Sequence, residues 1–209
     1  MLSLPGFAEL VGAPILPTTI ERTPNGERAL DPYSQLFKER IVLLDSAVTP
    51  ESASALIAQL LWLNKSDQKA PIYMYISSPG GSVSAGLGIY DVMQHIKPEV
   101  YTITIGQAAS MGAFLLSSGA KGKRFAMPNA EIMIHQPRIQ GQGIDGTVTD
   151  IDIYTEHLKR TKKRLAQIMA DNCGKDLQTL LADTEKDYWM SAVEAKEYGL
   201  IDAVIEPEA

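Results

Sequence analysis

Short apolar runs and stretches in which apolar residues recur at helical spacing alternate along most of the chain. The apolar runs predict strands at 40–44, 72–76, 100–105, 132–134 and 199–204. The helical spacing predicts helices at 49–61, 81–96, 111–118, 149–172 and 191–198. Residues 1–25 have no sustained period and are rich in Pro, Gly and Thr, which is typical of an irregular arm. Strands and helices that alternate in this order indicate an α/β fold.

Two of the predicted helices have recognisable starts. Thr49 is expected to cap the first helix, with Pro50 at the first helical position, and the core-facing residues should be Ala53, Leu56, Ile57, Leu60 and Leu61. The longest helix should start at a capping box of Thr149 and Asp152, with an apolar stripe of Ile151, Tyr154, Leu158, Leu165, Ile168 and Met169. This helix is almost twice the usual length of about 11–12 residues, so part of it is expected to serve assembly.

Length and composition exclude several classes of protein. A chain of 209 residues fits one medium-sized domain, expected at 18–209 after a flexible leader at 1–17. A net charge of −6 argues against non-specific binding of nucleic acid. One cysteine allows neither an internal disulfide nor a Cys-rich zinc site, and this favours a cytoplasmic location over secretion. No stretch approaches the ~18–20 apolar residues of a membrane helix.

The segment Gly106-Gln-Ala-Ala-Ser-Met-Gly112 places a serine among small residues, where the strand at 100–105 passes through a predicted turn into a helix. A nucleophilic serine needs such a turn, because small neighbours admit a substrate and the helix start offers backbone N–H groups to an oxyanion. The alternative is that Ser110 only caps the helix. The segment alone leaves both interpretations open.

Two further segments could contribute to the same chemistry. Gly80 and Gly81 follow a buried strand, and such a turn could donate a second oxyanion N–H or cradle a phosphate, although the chain contains no P-loop motif. His135 ends a predicted strand and could act as a general base, or it could be structural. Of the other histidines, His95 lies near a helix end and His157 lies on a basic helix face that should contact solvent or another subunit.

Taken together, these segments resemble the proteolytic subunit of the Clp protease over about 20–204. The resemblance is carried by the stretches 73–83, 106–116, 133–137, 183–187 and 195–202 in this order. It implies an α/β, crotonase-like (ClpP-type) spiral fold with a long handle helix. It also implies an ATP-dependent serine endopeptidase that hydrolyses unfolded proteins inside a barrel-shaped chamber.

The resemblance implies a role for each site residue. Ser110, His135 and Asp187 would form the catalytic triad, with Asp187 preferred over Asp183 as the acid. The backbone N–H groups of Gly81 and Met111 would form the oxyanion hole. Substrate would lie along Ser82, Val83, Ile139 and Gln140, and Tyr73 and Tyr75 would help to dock a partner together with loops around 18–28.

The family also predicts the partners. Two heptameric rings would stack face to face through the long helix and the segment before it, and rings mixed with a second type of Clp subunit are an alternative. An AAA+ unfoldase would use ATP, so this chain needs no cofactor and no metal.

Alternatives are a catalytically silent Clp-like subunit in a partner ring, a crotonase-like hydratase, or a Ser–Lys peptidase with Lys121 or Lys123 as base. Lys186 stands where the family usually has Arg, and this predicts a differently built contact between rings.

Overall fold

The computed structural model describes residues 18–23, 26–138 and 145–206. The strands of these residues are β1 Thr19–Thr23, β2 Gly26–Leu30, β3 Ile41–Leu44, β4 Ile72–Ser78, β5 Val100–Ala109, β6 Arg124–Ala126, β7 Glu131–Ile134, β8 Tyr188–Ser191 and β9 Ala203–Val204. The helices are α1 Pro32–Lys38, α2 Pro50–Ser66, α3 Val83–His95, α4 Met111–Ser117, α5 Val148–Cys173, α6 Leu177–Asp183 and α7 Ala192–Tyr198. None of these helices combines the length and apolar character that crossing a bilayer requires.

Internal contacts divide the chain into two units, Met1–Ile41 and Val42–Ala209. In the first unit, β1 and β2 form an antiparallel hairpin, in a region for which an irregular arm was expected. α1 follows because Asp31 accepts a hydrogen bond from the backbone N–H of Ser34, with Pro32 at the helix start. The single domain over 18–209 stays a prediction.

The second unit is built on a mostly parallel sheet whose centre is β5. β5 pairs in parallel with β4, β6 and β7, and β6 pairs in parallel with β9. β8 is antiparallel to β7. The α/β class is therefore confirmed, although β6, β8, α1 and α6 are short elements that the periodicity did not predict.

β5 has two partners along one edge because it is ten residues long. Thr102–Thr104 pair with β6, whereas Gln107–Ala109 pair with β7. Gly106 lies between the two pairings at φ 68°, a left-handed conformation that glycine adopts at low cost. The expectation of a turn from Gly106 to Ser110 is wrong, because pairing with β7 keeps the backbone extended as far as Ala109.

The core lies between the sheet and the helices, and α4 is its most enclosed element. All seven residues of α4 are buried. Thr49 and Pro50 start α2 as predicted, and Ala53, Leu56 and Leu60 are buried. Leu61 was expected in the core but is 44% exposed, because Leu63 occupies the buried face at the end of α2.

The capping box of the long helix α5 lies two residues earlier than expected. It consists of Thr147 with Asp150, not Thr149 with Asp152. The stripe is buried only in the second half, where Leu165, Ala166, Met169 and Ala170 meet the core. Ile151 and Tyr154 of the predicted stripe are exposed instead. They lie in the first half of α5, which contains no buried residue.

A buried ion pair ties β6 to the segment before β9. Arg124 is 6% exposed, and its Nε and Nη2 donate to the two carboxylate oxygens of Asp202 at 2.9 and 2.6 Å. Its Nη1 donates to the carbonyls of Ser117 and Asn172, at the ends of α4 and α5. Burial alone would raise the pKa of Asp202, but the hydrogen bonds and charge of Arg124 outweigh it and hold that pKa below its ordinary value.

We predict that Asp202→Asn lowers the free energy of unfolding by about 1–3 kcal/mol at neutral pH. This is less than the about 3–5 kcal/mol of a fully buried broken pair, because the Asp202 side chain is partly exposed. The stabilisation is present above the unfolded pKa of about 3.9 and is lost as the pH falls through the lower folded pKa. Urea denaturation at several pH values should therefore show the difference between wild type and variant shrinking below about pH 4.

Glu156→Gln is the matched control, because Glu156 pairs with Lys159 at 2.8 Å on the exposed face of α5. Solvent screens such a pair, so the control should leave the free energy of unfolding nearly unchanged. Equal effects of the two substitutions would contradict the stabilising role of the Arg124–Asp202 pair.

Candidate active site

Three neighbouring strand ends bring the predicted triad together. Ser110 follows the last residue of β5, and His135 follows the last residue of β7, which pairs with that end of β5. Asp187 directly precedes β8. The antiparallel register of β7 and β8 ends at Ile134 opposite Tyr188, so His135 and Asp187 occupy the next rung. Opposite residues on such a rung have Cβ atoms about 4.5–5.5 Å apart, which is within reach of a side-chain hydrogen bond.

The three side chains form a continuous hydrogen-bonded chain. His135 Nδ1 lies 2.8 Å from Asp187 Oδ1, and His135 Nε2 lies 2.8 Å from Ser110 Oγ. With its proton on Nδ1, neutral His135 donates to Asp187 and accepts from the serine hydroxyl. The His135 side chain is 9% exposed and that of Asp187 is 50% exposed. This arrangement can take a proton from the serine and stabilise the resulting imidazolium.

The backbone of Ser110 is held in a strained conformation. Its φ of 54° and ψ of −118° lie outside the regions that non-glycine residues favour. Its N–H donates to the carbonyl of Met133 at 2.8 Å, and its carbonyl accepts from the N–H of Phe114 at 3.0 Å. Ser110 makes no side-chain cap, so the alternative that its hydroxyl caps α4 is wrong. Strain of this kind at a strand-to-helix turn is typical of an exposed nucleophile.

The glycine turn after β4 lies against the start of α4. Val48 donates to the carbonyl of Gly80 at 2.8 Å and accepts from the N–H of Ser82 at 2.7 Å, so Gly81 pairs with Val48 as an isolated bridge. The N–H groups of Gly81 and Met111 have no acceptor among the described residues. Two such donors next to a serine are what an oxyanion hole requires. Val48, which anchors this turn, was missed because a single apolar residue in a loop has no period.

The substrate-binding predictions have different outcomes. Ser82 caps α3 through its side chain, and its N–H is already used by Val48. Val83 begins α3, and its N–H has no acceptor among the described residues. Ile139 and Gln140 lie outside the described residues. A substrate backbone could therefore pair with the Val83 N–H, whereas the Ser82 N–H is not available.

Tyr73 and Tyr75 lie on the outer face of β4, opposite the buried Ile72 and Met74. The ring of Tyr73 meets that of Tyr101 edge-on, with centroids 5.2 Å apart. Neither tyrosine lies beyond the middle of β4, whereas the glycine turn follows the C-terminal end of this strand. They are therefore separate from the triad. Partner docking at these residues stays a prediction.

The two candidate acids are distinguished by their partners. Asp183 accepts a hydrogen bond from the Tyr198 hydroxyl at 2.7 Å and does not contact His135, whereas Asp187 does. Burial and the neighbouring Asp183 raise the pKa of Tyr198, so that phenol stays protonated and keeps its bond.

The remaining reactive groups lie elsewhere. His95 ends α3, and His157 is exposed on α5, as predicted. Burial raises the pKa of the Cys173 thiol to about 11, which keeps it protonated and unreactive at neutral pH. Within 18–23, 26–138 and 145–206, no group of three His, Cys, Asp or Glu residues is placed to hold a metal ion.

Gly80→Ala should destabilise the protein by about 2–5 kcal/mol. Gly80 has φ +87°, and an added Cβ would lie 2.6 Å from Ser110 Cβ and 2.7 Å from the Ala109 carbonyl oxygen. Gly122→Ala is the control, because Gly122 has φ +81° but open space around its Cβ position, so only the backbone cost of about 1–2 kcal/mol remains. Urea denaturation measures both, and equal losses would contradict the close approach of Gly80 to Ser110.

A comparison with protein families agrees with this geometry. The family model described as Clp protease matches residues 24–208 of the chain. The matched span includes every described residue of the candidate site.

Proposed function

Because the chain belongs to the Clp protease family, with its ClpP-type α/β fold, we propose that this peptidase is a serine endopeptidase that uses Ser110, His135 and Asp187. The observation that carries the proposal is the continuous hydrogen-bonded chain from Asp187 through His135 to Ser110, with both contacts at 2.8 Å. A chain of this kind makes a serine hydroxyl a nucleophile at neutral pH.

The reaction proposed is acyl transfer through an acyl-enzyme. Ser110 Oγ attacks the scissile carbonyl while His135 Nε2 takes the hydroxyl proton, and His135 then gives that proton to the leaving amine. Asp187 keeps the imidazole in the required tautomer and stabilises its charged form. Water then attacks the acyl-enzyme with His135 as base, which releases the carboxylate product and restores Ser110.

The oxyanion of each tetrahedral intermediate would be bound by the N–H groups of Gly81 and Met111. Neither N–H has an acceptor among the described residues, so no internal hydrogen bond has to break when the oxyanion forms. Removal of one such donor costs about 2.7–4 kcal/mol of transition-state stabilisation in a serine protease. No cofactor or metal takes part in these steps.

Substrate would bind as an extended strand. Because the Gly81 N–H is assigned to the oxyanion, the N–H of Val83 is proposed to pair with the peptide backbone, and Ile139 and Gln140 are proposed as further substrate contacts. Main-chain pairing of this kind reads the backbone and tolerates many side chains. Broad tolerance suits a protease of unfolded proteins.

We propose further that the chain assembles into two stacked heptameric rings that enclose the sites in a chamber. An AAA+ unfoldase would dock at Tyr73 and Tyr75, use ATP and deliver unfolded polypeptide. The family implies a ring-forming protease that works with unfoldases, and the exposed first half of α5, with Ile153 and Tyr154, supports a role of this helix in assembly. The silent-subunit alternative expects misaligned triad residues, and the two 2.8 Å contacts favour the active form.

We predict that a fluorophosphonate probe labels Ser110 and that Ser110→Ala abolishes both the labelling and the peptide cleavage. Removal of a triad nucleophile costs a factor of about 10⁶ in kcat in a comparable enzyme. Peptide mass mapping locates the label. Ser66→Ala is the control, because Ser66 is the last residue of α2, its hydroxyl donates to the Leu63 carbonyl, and its loss should leave labelling unchanged. A label on another residue, or none on assembled protein, would refute the mechanism.

Native mass spectrometry should show a fourteen-subunit species, alone or with a second Clp subunit type. The assembled protein should cleave short peptides without ATP, because the triad needs no nucleotide. It should degrade a folded protein only when an AAA+ unfoldase and ATP are added. Degradation of folded substrates without an unfoldase would contradict the proposed partner.

A further inference from the structure

Asp187 is weakly held by its own surroundings. Its side chain is half exposed, and its one hydrogen bond among the described residues is to His135. An exposed carboxylate with a single partner has several rotamers available to it. Its alignment with His135 therefore depends on how firmly the backbone before β8 is fixed.

That backbone is anchored on one side to α6, where Thr184 and Glu185 donate to the carbonyls of Leu180 and Ala182, and on the other side to Gln136, the residue directly after His135. The Gln136 N–H donates to the carbonyl of Thr184 at 2.7 Å, and its side-chain Nε2 donates to the carbonyl of Glu185 at 3.0 Å. Simple continuation of the β7–β8 ladder would place Gln136 opposite Lys186. The observed bonds instead reach two and three residues before the acid, so Gln136 holds the turn that leads into Asp187.

The side chain of Glu185 gives the same turn a further, weaker anchor. Lys162 Nζ on α5 lies 3.0 Å from Glu185 Oε2, and this hydrogen bond and charge hold the pKa of Glu185 below its ordinary value. The Glu185 side chain is 60% exposed, so solvent screens the pair and reduces its contribution. Gln136 donates to the backbone carbonyl of Glu185, and a side-chain hydrogen bond from Gln136 also helps to lower the pKa of the Glu185 carboxyl, after the larger contribution of Lys162.

We propose that Gln136 is a positioning residue, which keeps Asp187 on the same rung as His135 by holding the turn before β8 through the carbonyls of Thr184 and Glu185. This role rests on the proposed function. Among the described residues, Gln136 makes no hydrogen bond to Ser110, so its proposed action is through the alignment of the His135–Asp187 pair.

The test is Gln136→Met, which keeps the length of the side chain and the main-chain bond to Thr184 but removes the donor to Glu185. We expect kcat for a model peptide, and the rate of Ser110 labelling, to fall about three- to tenfold with KM unchanged. Gln94→Met is the matched control, because Gln94 Nε2 donates to the Ser118 carbonyl at the same distance of 3.0 Å, away from the triad. The control should lower the unfolding temperature about as much and leave kcat unchanged.

A double-mutant cycle with Asp187→Asn separates positioning from general loosening of the protein. If Gln136 acts through Asp187, Gln136→Met should change the residual rate by less than about 1.5-fold once Asp187 is replaced. A full additional loss in the double variant, a change in KM alone, or equal kcat values for the two Gln→Met variants would overturn the role of Gln136. An unlabelled Ser110 in wild-type protein would overturn the proposed function itself, and the role of Gln136 with it.

Discussion

The pairing of β7 with β5 on one side and β8 on the other is the constraint on which the site depends. Parallel pairing to β5 places the end of β7 beside Ser110, and antiparallel pairing to β8 places His135 opposite Asp187. The triad is therefore an extension of the sheet's own hydrogen-bond ladder. A shift of one residue in either register would turn a triad side chain to the opposite face, so the register that builds the core also aligns the site.

Close packing around this ladder explains the small residues near the serine. An added Cβ at Gly112 would lie 2.9 Å from the Ser78 carbonyl oxygen, so only glycine lets α4 approach the end of β4. α4 is buried over its whole length, and that burial helps to offset the strain of the left-handed Ser110. The same approach brings the glycine turn against the start of α4, where a Cβ at Gly80 would lie 2.8 Å from the Met111 nitrogen. The N–H groups of Gly81 and Met111 have no acceptor among the described residues.

Much of this arrangement could be predicted from the sequence, and the failures have physical causes. Short apolar runs bounded by small residues mark Ser110 at a strand-to-helix junction and His135 at a strand end as candidates, whereas their catalytic roles come from the family resemblance. Asp187 came only from the family resemblance, because β8 has four residues and one buried side chain, too few for a period. The end of β5 was misjudged because Gly106 signals a turn by composition, whereas pairing with β7 keeps the chain extended beyond it. Gln136 acts through long-range carbonyl contacts, which no local pattern reveals.

The most direct test of this account is a crystal structure of the assembled protein after reaction with a peptide chloromethyl ketone. The account predicts a bond from the inhibitor to Ser110 Oγ, a second bond to His135 Nε2, and the former carbonyl oxygen about 2.7–3.1 Å from the nitrogen atoms of Gly81 and Met111. It also predicts that Asp187 still accepts from His135 Nδ1. An adduct on another residue, or an oxygen directed away from both N–H groups, would contradict the account.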